Sequence, residues 1–535
     1  PSGAVGTLVS TLVGGSSDID ASAVKGVAIT ATDSANGSWY YSKDAGTTWT
    51  AVGVVANNNA LLLASDANTR VYFQPRADYN GTVASGLTFR AWDQTAGAAG
   101  NKVDTGSNGG TTAFSSATDR VAVTVNAVND APVLADTVLN LVAVNEDAGA
   151  PAGAVGSLVS TLVGGSTDVD ASPVKGIAIT AADSSNGGWF YSTDGGTTWA
   201  AVGAVGDNSA LLLASDADTR VYFRPTANYN GTVAAGLTIR AWDQTTGTAG
   251  TRVDASTNGN TTAFSSATDT VSIVVNPVND APVLADTPLT LPSVNEDAAA
   301  PAGPVGALVS TLVGGSTDID VGAIKGIAIT AADAGNGSWF YSTNGGTTWT
   351  AVGAVANTSA LLLAADANTR VYFQPSPDYN GSVAAGLTIR AWDQTAGGAA
   401  GSKVDASAQG GTRAFSTATD TVSITVNPVA DAPVLADTVL ALSGVDEDAG
   451  APSGAVGSLV STLVGGSTDV DTGAVKGIAI TAADASKGSW FYSTDGGTTW
   501  TAVGAVASNN ALLLASDANT RVYFQPMANY NGTVG

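Results

Sequence analysis

A long internal repeat constrains this chain more than any other feature. Pro1, Pro151 and Pro301 open near-identical stretches at a spacing of 150 residues, and Pro452 opens a fourth at a spacing of 151. Solenoid units repeat every ~20–50 residues, so a period of this size is a whole domain. The one extra residue falls in Gly397-Gly398-Ala399-Ala400-Gly401, which reads as a loop because it tolerates an insertion. The copies read as 1–130, 131–280, 281–431 and 432–535. The first lacks the segment equivalent to 131–150 and the last lacks its final strands. The sequence is therefore expected to be a window from a longer array, with any targeting signal outside it.

Inside each copy, short segments rich in Val, Ile, Thr, Tyr and Trp are separated by Gly, Asn, Asp and Ser. In the second copy they are 138–144, 155–163, 174–181, 188–192, 197–203, 220–224, 237–242 and 270–275. Several alternate apolar and polar residues, as in Ile177-Ala178-Ile179-Thr180. That is the period of a half-buried strand, and none shows the 3.6 period of a helix. Eight such strands with this punctuation predict an all-β fold of tandem Ig-like antiparallel β-sandwiches arranged end to end, with little helix. All eleven tryptophans occupy repeated positions: Trp39, Trp49, Trp92, Trp189, Trp199, Trp242, Trp339, Trp349, Trp392, Trp490 and Trp500. Aromatic residues on strands are expected in the core.

Composition removes several kinds of chemistry. Cysteine and histidine are absent, which excludes disulfides, Cys/His zinc sites and histidine-based triads. Forty-five acidic residues against 20 basic give a net charge of −25. That balance disfavours nucleic acid and anionic membranes; it is compatible with Ca²⁺, which takes carboxylate and carbonyl oxygens, but taken alone it reads first as an acidic surface that keeps a long array soluble. No apolar run approaches the ~20 residues of a membrane helix.

Acidic motifs recur at the ends of the copies. Asp168-Val169-Asp170 has equivalents at Asp18/Asp20, Asp318/Asp320 and Asp469/Asp471. In an extended segment such carboxylates point to one side, so the motif reads equally as a half-site for a cation or as a solvated loop. The copies end on Asn129-Asp130-Ala131-Pro132, Asn279-Asp280-Ala281-Pro282 and Ala430-Asp431-Ala432-Pro433. Each is followed by an acidic triplet: Asn145-Glu146-Asp147, Asn295-Glu296-Asp297 or Asp446-Glu447-Asp448.

These motifs, in this order, resemble bacterial cadherin-like repeats of very large type-I-secreted (RTX-type) surface adhesins. Cadherin domains carry a linker Asp-x-Asn-Asp-Asn before Ala-Pro, an early Glu, an Asp-x-Asp and a later Ala-x-Asp, which ligate Ca²⁺ between domains. The resemblance implies Ca²⁺ at the inter-repeat junctions. It implies Asn129, Asp130, Asp168, Asp170 and Asp243 as ligands at one junction. Glu146, Asn279, Asp280, Asp318, Asp320 and Asp393 are implied at the next, and Glu296, Asp431, Asp469 and Asp471 at the third. The family's first linker Asp is Ala127 or Pro277 here, and Ala430 removes another oxygen. The implied affinity is therefore weak, about 10⁻⁴–10⁻³ M.

A second resemblance is to the Asp-box of sialidase-type repeats, Ser-x-Asp-x-Gly-x-Thr-Trp. It is carried by Ser42–Trp49, Ser192–Trp199 and Ser493–Trp500, with Asn344 in place of Asp in the third copy. Asn serves a turn but not acid–base chemistry, so the motif is expected to act in folding. Arg220 and Arg240, near Asp216, Asp218 and Asp243, are expected to be partly buried with an Asp partner. Asn80-Gly81 and Asn230-Gly231 read as turns.

No nucleophile–base pair or nucleotide loop stands out, and no enzyme is expected. The expected role is a structural extender or adhesive repeat region at an extracellular, bacterial surface, stiffened by Ca²⁺. The expected partners are neighbouring repeats, and the alternatives are self-assembly with other copies in a filament, sheath or surface layer, or recognition of a surface glycan.

Overall fold

The computed structural model describes residues 1–436 and 438–535. The chain is all-β and divides into two compact units, Pro1–Pro277 and Val278–Gly535. Each unit is built from antiparallel sandwiches of one plan.

In the first unit, one sheet of the second sandwich runs, in spatial order, Leu139–Asn140, Asp269–Asn276, Gly231–Trp242, Gly176–Ala182, Ala210–Ala214 and Arg252–Val253. The facing sheet runs Ser157–Leu158, Arg220–Pro225, Gly187–Ser192 and Ala200–Ala201. From Gly176 to Trp242 the long strands alternate between the two sheets, so neighbours in sequence face each other across the core. Pairing is antiparallel except for Leu139–Asn140 and Val144–Asn145, which run parallel to Asp269–Asn276. The second unit repeats the plan over residues 281–427.

Alternation explains the core. Val271, Ile273 and Val275 point inward and are almost fully buried, while Val274 between them faces out. Ile177, Ile179, Leu211, Leu213, Phe223 and Trp189 meet them from the other strands. Each fully buried Val, Leu or Ile contributes about 1.5–3 kcal/mol. Trp189 stacks obliquely on Phe223 at 4.8 Å between centroids and donates its Nε1–H to the Asp183 carbonyl at 2.8 Å. Trp242 closes a smaller cluster behind the first sheet. It packs so tightly on Gly176 that a β-carbon there would lie 2.6 Å from the indole ring. The tryptophans are thus core or half-buried residues and form no open stacking platform.

Three of the expected strands are shorter than the sequence pattern suggests. Segment 138–144 is broken because the Val142 N–H bonds the Ser157 hydroxyl, not the ladder. Segment 155–163 keeps only Ser157–Leu158 as strand and then turns through the 3₁₀ helix Val159–Thr161. Val159, Leu162 and Val163 are buried at helical spacing. Segment 197–203 keeps only Ala200–Ala201. Arg240 is buried as expected, but its partner is Asp207 at 3.3 Å, not Asp216, Asp218 or Asp243. The same guanidinium donates to the Ser265 and Ser266 carbonyls, whereas Arg220 donates to the Gly156 carbonyl. Among the described residues, no helix is long and apolar enough to cross a membrane.

Candidate metal centres at the sandwich junctions

In the first unit, the chain passes from one sandwich to the next through Asn129 and Asp130. The Asp130 N–H donates to Asp170 Oδ2 at 2.9 Å, and the Asp170 N–H donates to Asp168 Oδ1 at 3.0 Å. Asp168-Val169-Asp170 is therefore an Asx turn, not the extended segment its spacing suggested. Asp168 spends one oxygen on that turn, and its buried Oδ2 has no hydrogen-bond partner. Burial, then Asp78, Asp170 and Asp168, hold the Asp130 carboxyl above the ordinary carboxylate range.

Asn129 sits beside this group and donates its Nδ2–H to Asp243 Oδ2 at 2.8 Å and to the Thr262 carbonyl at 3.2 Å. The other oxygen of buried Asp243 accepts from the N–H and hydroxyl of Thr245. The Asn129 amide nitrogen and both Asp243 oxygens thus have partners within the chain. Glu146 is buried at the end of its strand and accepts from Asn230 Nδ2 at 2.8 Å.

The second unit shows the same geometry twice. Asn279 donates to Asp393 at 2.9 Å, the Asp280 N–H to Asp320 at 2.8 Å, and the Asp320 N–H to Asp318 at 3.0 Å. Asp318 is pushed up by burial and by Asp320 and Asp393, and its buried Oδ2 is partnerless. Farther along, the Asp431 N–H donates to Asp471 at 2.9 Å and the Asp471 N–H to Asp469 at 3.0 Å. Here the acidic triplet of the preceding sandwich joins in. Glu296, 3% exposed, accepts from the Val429 N–H at 2.6 Å and from Asn380 at 2.7 Å. Carboxylate oxygens of Glu296, Asp431 and Asp471 lie within 4.8 Å of one another, as do those of Asp297, Asp378 and Asp431. Burial comes first in raising the Asp431 carboxyl, followed by Asp297, Asp471, Asp378 and Glu296.

This donor set fits a hard divalent cation. It offers only oxygen, its carboxylates are close enough to share an ion with Ca–O bonds of about 2.3–2.6 Å, and Asp431 Oδ2 is buried without a partner. Asp297 stands in the acidic triplet noted in the sequence, whereas Asp378 and Asp78 were not singled out from it. Their signal is the Asp-Tyr-Asn-Gly that starts the long strand at 78–81 and 378–381, where the other copies read Asn-Tyr-Asn-Gly at 228–231 and 529–532. The Asn of that turn also holds the buried Glu, as Asn380 shows.

The second acidic feature is different in kind. Asp194 accepts from the Thr198 N–H at 2.9 Å, the Thr198 hydroxyl at 2.6 Å and the Ser192 hydroxyl at 2.7 Å. These bonds, the Thr198 hydroxyl foremost, hold its carboxyl down at about 2. Gly196 has φ +93°, and a β-carbon there would lie 1.9 Å from the Gly153 carbonyl oxygen, so no side chain fits. Trp199 Nε1–H donates to that same oxygen at 3.2 Å. The hairpin thereby pins the segment just before Ser157–Leu158 onto the sandwich. Asn344 reproduces the network with a neutral amide.

Two segments match the BNR/Asp-box repeat model, residues 190–201 and 491–502. The match covers the Asp-box hairpins at Asp194 and Asp495 and leaves the rest of the chain unassigned. No curated protein matches the chain. Among solved structures, the crystal structure of human CDH23 EC21-23 is similar, with a TM-score of 0.32 and 11% identity over 75% of this chain and 88% of that one. The zebrafish RET cadherin-like domains 1 to 4 are similar with a TM-score of 0.19 and 9% identity, over 75% of this chain and 66% of that one.

Proposed function

We propose that the chain is a structural extender, the repeat region of a large extracellular surface protein of the type-I-secreted adhesin kind, with junctions closed by Ca²⁺. The observation that carries this reading is the convergence of Glu296, Asp297, Asp378, Asp431 and Asp471 where one sandwich hands over to the next. Like charges gathered around a partnerless buried oxygen oppose one another until a cation is supplied. Glu296, Asp431 and Asp471 would hold one ion and Asp297 and Asp378 would complete its neighbourhood. The ion's contribution is charge neutralisation. The chain's own role is to fix the carboxylates, through the Asx turns and the Asn380–Glu296 bond, before any ion arrives.

Catalysis has little support. The Asp-box carboxylates are saturated by hydrogen bonds and held far below the range of a general acid, and Asn344 performs the same structural task without a carboxylate.

Calcium titration of the whole chain by calorimetry, with melting and small-angle scattering on the same samples, tests the reading. Saturable binding in the millimolar range or tighter, a higher melting temperature and a narrower spread of particle dimensions are expected. A chain that takes up no calcium and melts identically in EGTA sinks it.

A further inference from the structure

We propose that the first sandwich carries a binding cleft for a neutral oligosaccharide, built from Thr32, Ser34, Ser38, Tyr40 and Val54. The cleft measures about 450 Å³, within the range of about 300–1,000 Å³ typical of small-molecule sites. It opens where the strand Gly26–Thr32 ends beside Gly37–Ser42 and the edge strand Thr50–Ala51. Ser38 and Tyr40 are two apart on one strand and share a face. Tyr40 stands opposite Ala51 at the margin of its sheet, and so small a neighbour leaves the outer side of the ring uncovered. Trp39, 5% exposed, closes the cleft from the core side. The chain itself fixes the walls. The Trp39 Nε1–H donates to the Asp33 carbonyl at 3.0 Å, and Lys102 Nζ and Asn59 Nδ2 donate to the Val54 carbonyl at 2.7 and 3.1 Å. The segment that enters a sandwich is bonded at the other edge of the large sheet, as Leu139–Asn140 on Asp269–Asn276 shows, and has no part in this cleft.

Near-identical copies make the chemistry of this cleft stand out. Where the first copy has Thr32, the others have Ala182, Ala332 and Ala483; Tyr40 is matched by Phe190, Phe340 and Phe491, and Val54 by Ala204, Ala354 and Ala505. Two of these three differences add a hydroxyl, and the third adds an apolar side chain that is 83% exposed. Among the described residues, none bonds the hydroxyls of Thr32, Ser34, Ser38 or Tyr40, so four groups that can both donate and accept are left for a ligand. None of the residues lining the cleft is charged. Exposed Asp33, in the turn between Thr32 and Ser34, and the net charge of −25 oppose an anionic ligand. Hydroxyls set around an aromatic ring and an isopropyl group match a pyranose, which carries hydroxyls at its rim and C–H groups on its faces. The ring supplies apolar contact and the hydroxyls supply orientation.

The test is calorimetric titration of the 535-residue chain with cellotetraose, maltotetraose, mannotetraose and N-acetylated chitotetraose. At least one is expected to bind saturably, at one site per chain, with a Kd on the order of 1 mM or tighter. The variants borrow residues that the other copies already carry at these positions, so each folds as its sister sandwich does. Tyr40→Phe is expected to bind roughly fivefold more weakly. The triple variant Thr32→Ala, Tyr40→Phe, Val54→Ala is expected to bind at least about tenfold more weakly, with its melting unchanged. No junction carboxylate lines the cleft, so the same affinity is expected in millimolar CaCl₂ and in EGTA; binding that vanishes in EGTA would place the sugar at a junction and overturn the proposal. Failure of all four sugars to bind saturably, or equal binding by the triple variant, overturns it as well.

Discussion

Asp194 and Asp431 are the same residue type in opposite electrostatic circumstances. Asp194 sits in a hairpin that directs three donors at it, and its carboxyl is held down at about 2. Asp431 sits among four other carboxylates with a buried oxygen that nothing in the chain satisfies, and its carboxyl is pushed up. Local sequence accounts for the first: Ser192, Thr198 and Gly196 are all within four residues of Asp194. The second is assembled from Glu296, Asp297, Asp378 and Asp471, brought together from two sandwiches. A carboxylate completed by its own loop needs no ion, whereas one gathered with its like needs a counter-charge from outside.

That contrast can be broken most forcefully with calcium. At a hundredfold excess over Kd, an ion that binds only the folded junction stabilises it by about 2.7 kcal/mol, and scanning calorimetry in calcium and in EGTA should resolve the difference. Next in size is Asp194→Ala, which strands the Thr198 and Ser192 donors. Its sandwich is expected to melt several degrees lower by the same amount in calcium and in EGTA; a calcium-dependent loss would erase the distinction between the two kinds of site.

A smaller effect is expected from Asp431→Asn. A carboxyl raised by burial and like charge opposes folding only once it ionises. The penalty therefore grows as pH rises above the ordinary carboxylate value and is complete above the raised one. At neutral pH the variant should melt a degree or two higher in EGTA and lose the calcium gain at its junction. Melting in both buffers checks both halves.

The smallest change is Asn344→Asp, which should shift melting at pH 7 by about a degree or less and make the third hairpin acid-sensitive. A lowered carboxyl contributes stability that is present above its unfolded value of 3.8 and is lost as pH falls towards about 2. Circular dichroism melts from pH 5 to pH 2 should show that loss in the variant's third hairpin and not with Asn344.

Much of the fold was legible because alternation reports burial directly. Val271, Ile273 and Val275 are inward where the pattern puts them. The 3₁₀ turn at Val159–Thr161 was not, because Val159, Leu162 and Val163, with Ser160 and Thr161 between them, belong to a Val-, Leu- and Thr-rich segment that reads equally as strand. Of the junction, Glu296, Asp431 and Asp471 stand in motifs whose order is visible. Asp378 is hidden in an Asn-Gly turn motif, and only the pairing of distant strands reveals that the turn faces the linker. The Asx turn at Asp168 escaped for a related reason: spacing of two suits a strand and a turn alike, and the Asp130 amide decides between them.

The parallel pairing of the first and last strands in a sandwich has a mechanical consequence. Leu139–Asn140 and Val144–Asn145 lie side by side with Asp269–Asn276 and run the same way. When the two ends of that sandwich are pulled apart, these strands are drawn past each other along their length. Their cross-links are loaded together, in shear, and cannot open in succession as a zipper does. A tether made of such units resists tension at the strands where the chain enters and leaves.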